Sequence, residues 1–161
     1  MPVLQDRDHP PLWETGAILR YLANTYADDT EFWPSNPIAR ANVDRWAEWA
    51  KINITLGFTA PIFWRVVRTP LSQREPQLIN SAVEKFEKIL EIAEDRLGNY
   101  QFLSGEKFSL ADIQFGHVLY RYYDIQINRS ALPNLRKYYE KLTARPSYRE
   151  HVMVSHEELR C

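Results

Sequence analysis

The feature that most constrains this chain is the stretch Phe108-Ser109-Leu110-Ala111-Asp112-Ile113 and the apolar run after it. Ser109 and Asp112 stand three apart, the spacing of a capping box, with Asp in the place more often held by Glu or Gln. Phe108 and Ile113 take the two positions of a hydrophobic staple. The helix that this start opens carries Ile113, Phe115, Val118, Leu119 and Tyr122, so it is apolar on nearly every side. A helix of that kind is stable in water only when other helices surround it. The rest of the chain must therefore supply a bundle.

It does. A helix over about 38–68 places Trp46, Trp49, Asn53, Leu56, Ala60, Phe63 and Val67 on one stripe by steps of three and four. Pro61 interrupts it and predicts a bend near 57–61, because its ring opposes the Gly57 carbonyl and it has no N–H to donate. Thr69-Pro70 ends this helix, and Ser72 to Glu75 offers a capping box for the next, over about 73–97. That one turns Phe86, Ile89, Leu90, Ala93 and Leu97 inward and stops at Gly98. A further helix runs from about Pro133 to Ala144, broken by Arg145-Pro146, with a short turn over Tyr148–Val152. The polar residues 154–161 read as a flexible tail.

The first residues follow a different rule. Pro2-Val3-Leu4, a polar turn and Leu12-Trp13 predict a small β-hairpin, which is marginal alone and must lean on the helices. From Thr15, a good N-cap, Ile18, Tyr21, Leu22 and Thr25 mark one helix face. Residues 28–37 are rich in Asp, Asn, Ser and Pro and mark a boundary. The reading is thus 1–28 as a partial β-hairpin-plus-helix unit, 37–153 as an all-helical domain, and a mainly α fold class.

Composition excludes several functions. The formal net charge of −1 gives no field to attract nucleic acid, and no apolar run approaches the roughly 20 residues of a membrane span. The only cysteine is Cys161, which cannot form an internal disulfide, and the expected compartment is the cytoplasm. The four histidines show no metal-ligand spacing, so no metal is expected.

Taken in order, Pro2-Val3-Leu4, the polar turn, Leu12-Trp13-Glu14-Thr15 and Ala17-Ile18-Leu19-Arg20-Tyr21-Leu22 resemble the second half of the glutathione-binding, thioredoxin-like domain of glutathione S-transferases. Phe108-Ser109-Leu110-Ala111-Asp112 and the later Arg145-Pro146 resemble the helical C-terminal domain of the same family. The resemblance covers residues 1 to about 153. It implies that Glu14 and Thr15 hold the γ-glutamyl end of glutathione. It also implies that Pro2 is cis and lets the Met1 backbone pair with the cysteinyl part. The small hydrophobic electrophile would lie against Ile54, Phe58, Pro61, Tyr120 and Tyr123, and the protein would form a homodimer. Ser109 and Asp112 are read as a structural cap, and Arg65 and Arg68 as helix-end cations in water. His117 is read as a hydrogen-bonded core residue.

The family's first strand, helix and second strand fall before Met1, and with them the Tyr, Ser or Cys that steadies the glutathione thiolate. No residue of this sequence is assigned that role. Two readings therefore stand: a transferase-family protein conjugating or transferring glutathione, and a non-catalytic helical interaction module or inactive truncated gene product.

Overall fold

The computed structural model describes residues 2–27 and 31–160. Two strands, β1 (Val3–Leu4) and β2 (Leu12–Trp13), pair antiparallel with Val3 opposite Trp13 and Leu4 opposite Leu12. The hairpin leans on α1 (Thr15–Tyr26). Asp6 in its turn accepts hydrogen bonds from the Tyr21 hydroxyl at 2.7 Å and from the Tyr26 hydroxyl. Those two phenols, Tyr26 foremost, hold the Asp6 carboxyl below its ordinary value.

The long helical stretch begins with α2 (Pro37–Trp49). The side-chain carbonyl oxygen of Asn36 caps it, accepting from the Ile38 and Ala39 amides at 3.0 and 3.1 Å. It then widens into two π-helical segments, Ala50–Thr55 and Thr59–Trp64, separated by α3 (Leu56–Phe58) and followed by α4 (Arg65–Val67). The irregularity expected at Pro61 therefore takes the form of a π segment around it, and a second π segment precedes it. In such segments hydrogen bonds span five residues, and the wider turn absorbs a residue that cannot donate.

This changes which side chains face inward. The buried stripe is Val43, Ala47, Ala50, Ile54, Phe58, Ile62 and Val66, mostly in steps of four. Of the expected stripe, Phe63 and Val67 are buried, whereas Leu56 is 68% exposed. Wide turns need about four residues to return to a face, so a count made at the α-helical period drifts off it.

A 3-10 turn (Leu71–Gln73) precedes α5 (Pro76–Asn99). The helix starts three residues later than expected, and Glu75, its N-cap, makes no side-chain cap bond. Pro76, with fixed φ and no amide to satisfy, sets the start instead. Phe86, Leu90 and Ala93 of α5 are buried as expected, and Ile89 and Leu97 are partly so.

At the centre lies α6 (Leu110–Asp124), with nine of its residues buried, ringed by α1, α2, the first π segment and α7 (Pro133–Thr143). Its capping box is present: the Ser109 amide donates to Asp112 Oδ2 at 2.8 Å. Asp112, 1% exposed, also accepts from the Leu103 amide at 3.1 Å and the Tyr138 hydroxyl at 2.9 Å. Gly116 lets α7 approach, since a Cβ there would stand 2.7 Å from Leu142 Cδ1. A short α8 (Pro146–His151) closes the bundle. Within the stretch read as a loose tail, His156 is packed rather than free, 5% exposed with its ring 5.2 Å from that of Phe63. The imidazole fills an aromatic slot that the polar composition of the tail gives no hint of.

Candidate glutathione-binding site

The entry to α1 is unusual in its backbone. Glu14 occupies the N-cap with φ +71° and ψ 112°, a region costly for a residue with a Cβ, and Thr15 is the first helical residue rather than the cap. No side chain caps this helix. Its first-turn amides, which have no acceptor within the helix, are left beside an exposed carboxylate and a hydroxyl.

Glu14 is 46% exposed at its side chain and lies 3.2 Å from Lys51 Nζ. Lys51 comes from the first π segment, where the long helix passes under the start of α1. Next to it, Arg20 of α1 donates to Asp44 at 2.8 Å and to Glu48. Both cations lie close to Gly16. A Cβ there would stand 3.0 Å from Arg20 Nη1 and 3.5 Å from Lys51 Nζ.

Lys51 and Arg20 are site neighbours that sequence reasoning passed over. Their signal was present: Asp44, Glu48 and Lys51 recur at i, i+4 and i+7, one polar face of the long helix. That face needed a charged partner, and α1 offers Arg20 and Glu14.

Met1, and with it the Met1–Pro2 peptide, lies outside the described residues, as does Cys161. Pro2 itself is exposed, one residue before β1.

The residues expected to line an electrophile pocket are not brought together. Ile54 and Phe58 are 0% and 1% exposed. Phe58 is enclosed by Phe63, Phe86 and Tyr122, ring to ring at 5.4–6.1 Å. These two are core, because the step-of-four stripe turns them inward. Pro61 edges a shallow groove of about 340 Å³ with Gly57, Arg65, Leu78, Lys85 and Ile89. Tyr120 faces His156, at 6.4 Å between rings, whereas Tyr123 stacks on Tyr139 at 4.5 Å. Burial pushes the Tyr123 phenol up to about 12.

Arg68 lies over the Trp64 ring at 5.1 Å. His117 is half-buried on α6, its imidazole pushed below the ordinary value by burial and then by Arg121. It faces a cleft of about 930 Å³ shared with Phe32, Phe108, Ile113, Arg145 and Val152. Among the described residues no cluster of His, Cys, Asp and Glu could hold a metal, and no helix is long and apolar enough to cross a membrane.

Residues 55–146 match the family model "Glutathione S-transferase, C-terminal domain". The chain belongs to the glutathione S-transferase family. Glutathione S-transferase GstB of Escherichia coli K12 is 29% identical over 155 residues, which cover 96% of this chain and 74% of the relative. Glutathione S-transferase F11 of Arabidopsis thaliana is 31% identical, over 93% of this chain and 72% of its own length. Among solved structures, the glutathione-bound theta class transferase of Xanthomonas axonopodis pv. citri superposes with a TM-score of 0.88. It is 37% identical, over 96% of this chain and 73% of that one. The chain thus spans about three quarters of the length of these transferases. The helical bundle is the transferase C-terminal domain, and the hairpin with α1 is the end of a thioredoxin-like unit.

Proposed function

We propose that this chain binds glutathione at the start of α1. The γ-glutamyl carboxylate lies on the first-turn amides and the Thr15 hydroxyl, and the α-ammonium meets Glu14. The Met1–Pro2 backbone pairs with the cysteinyl part. One observation carries the reading: an uncapped helix start beside an exposed Glu14 carboxylate, in a member of this family. A helix N-terminus of this kind favours a carboxylate through its free N–H groups and its dipole. The compartment that suits this chemistry is the cytoplasm, and the second substrate is a small hydrophobic electrophile. Of the aromatic side chains expected to meet it, Tyr120 and Tyr123 in the second half of α6 both keep partial exposure, and Tyr120 is the contact we assign because the Tyr123 ring is packed on Tyr139.

Calorimetric titration of the purified chain with glutathione tests the reading. Saturable binding is expected, weakened about tenfold by Thr15→Ala, the equivalent of about 1.4 kcal/mol. Absence of saturation for the unsubstituted chain would sink it. None of these side chains activates a thiol, so conjugation of an aromatic halide is expected at the uncatalysed rate. Acceleration in a stopped-flow assay would overturn that part.

A further inference from the structure

The first-turn amides and Glu14 make up only part of the charge at the start of α1. Lys51 Nζ is 3.2 Å from Glu14 Oε2, and at the same time only 3.5 Å from where a Cβ on Gly16 would be. Its ammonium therefore stands over the first turn of α1 as well as against the carboxylate. Arg20 lies as close to Gly16, but its guanidinium is bound by Asp44 and Glu48. Lys51 is thus the cation here whose carboxylate partner is itself a candidate for ligand contact. Its side chain is 37% exposed, so a ligand can reach it.

Resting on the glutathione reading above, we propose that Lys51 is a specificity-determining residue that receives the γ-glutamyl carboxylate. Glu14 and Lys51 are then a pre-formed pair of opposite charges. They match, sign for sign, the ammonium and carboxylate borne by one carbon of the γ-glutamyl group. On binding, the single Lys51–Glu14 contact is exchanged for two charge-assisted contacts to the ligand, Lys51 to its carboxylate and Glu14 to its ammonium. A ligand lacking either charge leaves one member of the pair unmatched, which gives discrimination against it. The rival arrangement has opposite consequences. If Lys51 merely occupies the ammonium's place on Glu14, it competes with the ligand, and its removal must tighten binding.

The test uses the full 161-residue chain and three ligands: glutathione, the analogue without the α-carboxylate (4-aminobutanoyl-Cys-Gly), and the analogue without the α-amino group (glutaryl-Cys-Gly). Lys51→Met should weaken glutathione and the glutaryl analogue about tenfold, leave the 4-aminobutanoyl analogue unchanged, and be largely rescued in Lys51→Arg. Circular dichroism checks that the variants fold, which an exposed position permits. Equal loss for all three ligands, or tighter binding of glutathione, overturns the role of Lys51 alone. Failure of the unsubstituted chain to bind glutathione overturns the glutathione reading and this inference together.

Discussion

Glu14 holds a backbone conformation, φ +71°, that a glycine tolerates better than a residue with a Cβ. Such a conformation persists only where the surrounding structure holds it. Glu14→Gly should therefore raise stability by about 1 kcal/mol in urea unfolding, since the exposed pair with Lys51 contributes little. The same change should abolish glutathione binding, so that stability and binding move in opposite directions. Asp112 is the contrary case. Its carboxylate gathers the Ser109 and Leu103 amides and the Tyr138 hydroxyl at a buried junction of loop, α6 and α7. Asp112→Ala should cost about 3 kcal/mol or more, because it leaves four buried donors, the Ser109 hydroxyl among them, unpaired. Its role as a cap was legible from the spacing of Ser109 and Asp112. That it also reaches Leu103 and Tyr138 was not, because those donors arrive from elsewhere in the chain.

Among elements, the long helix was the hardest to read and the most consequential. Its ends and its disturbance at Pro61 follow from local rules. Its inward face does not: from Ile54 onward the buried stripe runs in steps of four through Phe58, Ile62 and Val66, where the π segments widen the turn. Ile54 and Phe58 stand on that inward stripe, out of the reach of a ligand, whereas Lys51 stays on the polar face with Asp44 and Glu48, against α1. Its start rests on an ordinary cap, and Asn36→Ala should remove the bonds to Ile38 and Ala39. The expected loss is about 1 kcal/mol, seen as a fall of about 2–4 °C in Tm by calorimetry. α6 is the opposite case. An all-round apolar helix with its own cap announces its central place before any contact is known.

For the molecule as a whole, burial keeps several phenols protonated. Burial raises the Tyr122 phenol, which also donates to Glu87 at 2.8 Å, and raises Tyr148 in the same way. Tyr123 is lifted to about 12. In each case the native state holds its proton above the ordinary value of 10.0, at which the unfolded chain releases it. The native chain then binds more protons, and stability must fall as the pH rises from about 10 towards 12. Absorbance at 295 nm should show exposed phenols titrating first, and a later step coincident with loss of helical ellipticity. A single smooth titration without unfolding would contradict this. What the sequence by itself determined is what local chemistry controls: the hairpin, the capped central helix, the mainly helical class and the Glu14-Thr15 helix start. What only the tertiary structure decided is which charges and faces meet there. Lys51 reaches Glu14 across 37 residues of chain, and no local rule of period, propensity or capping carries a contact over that separation.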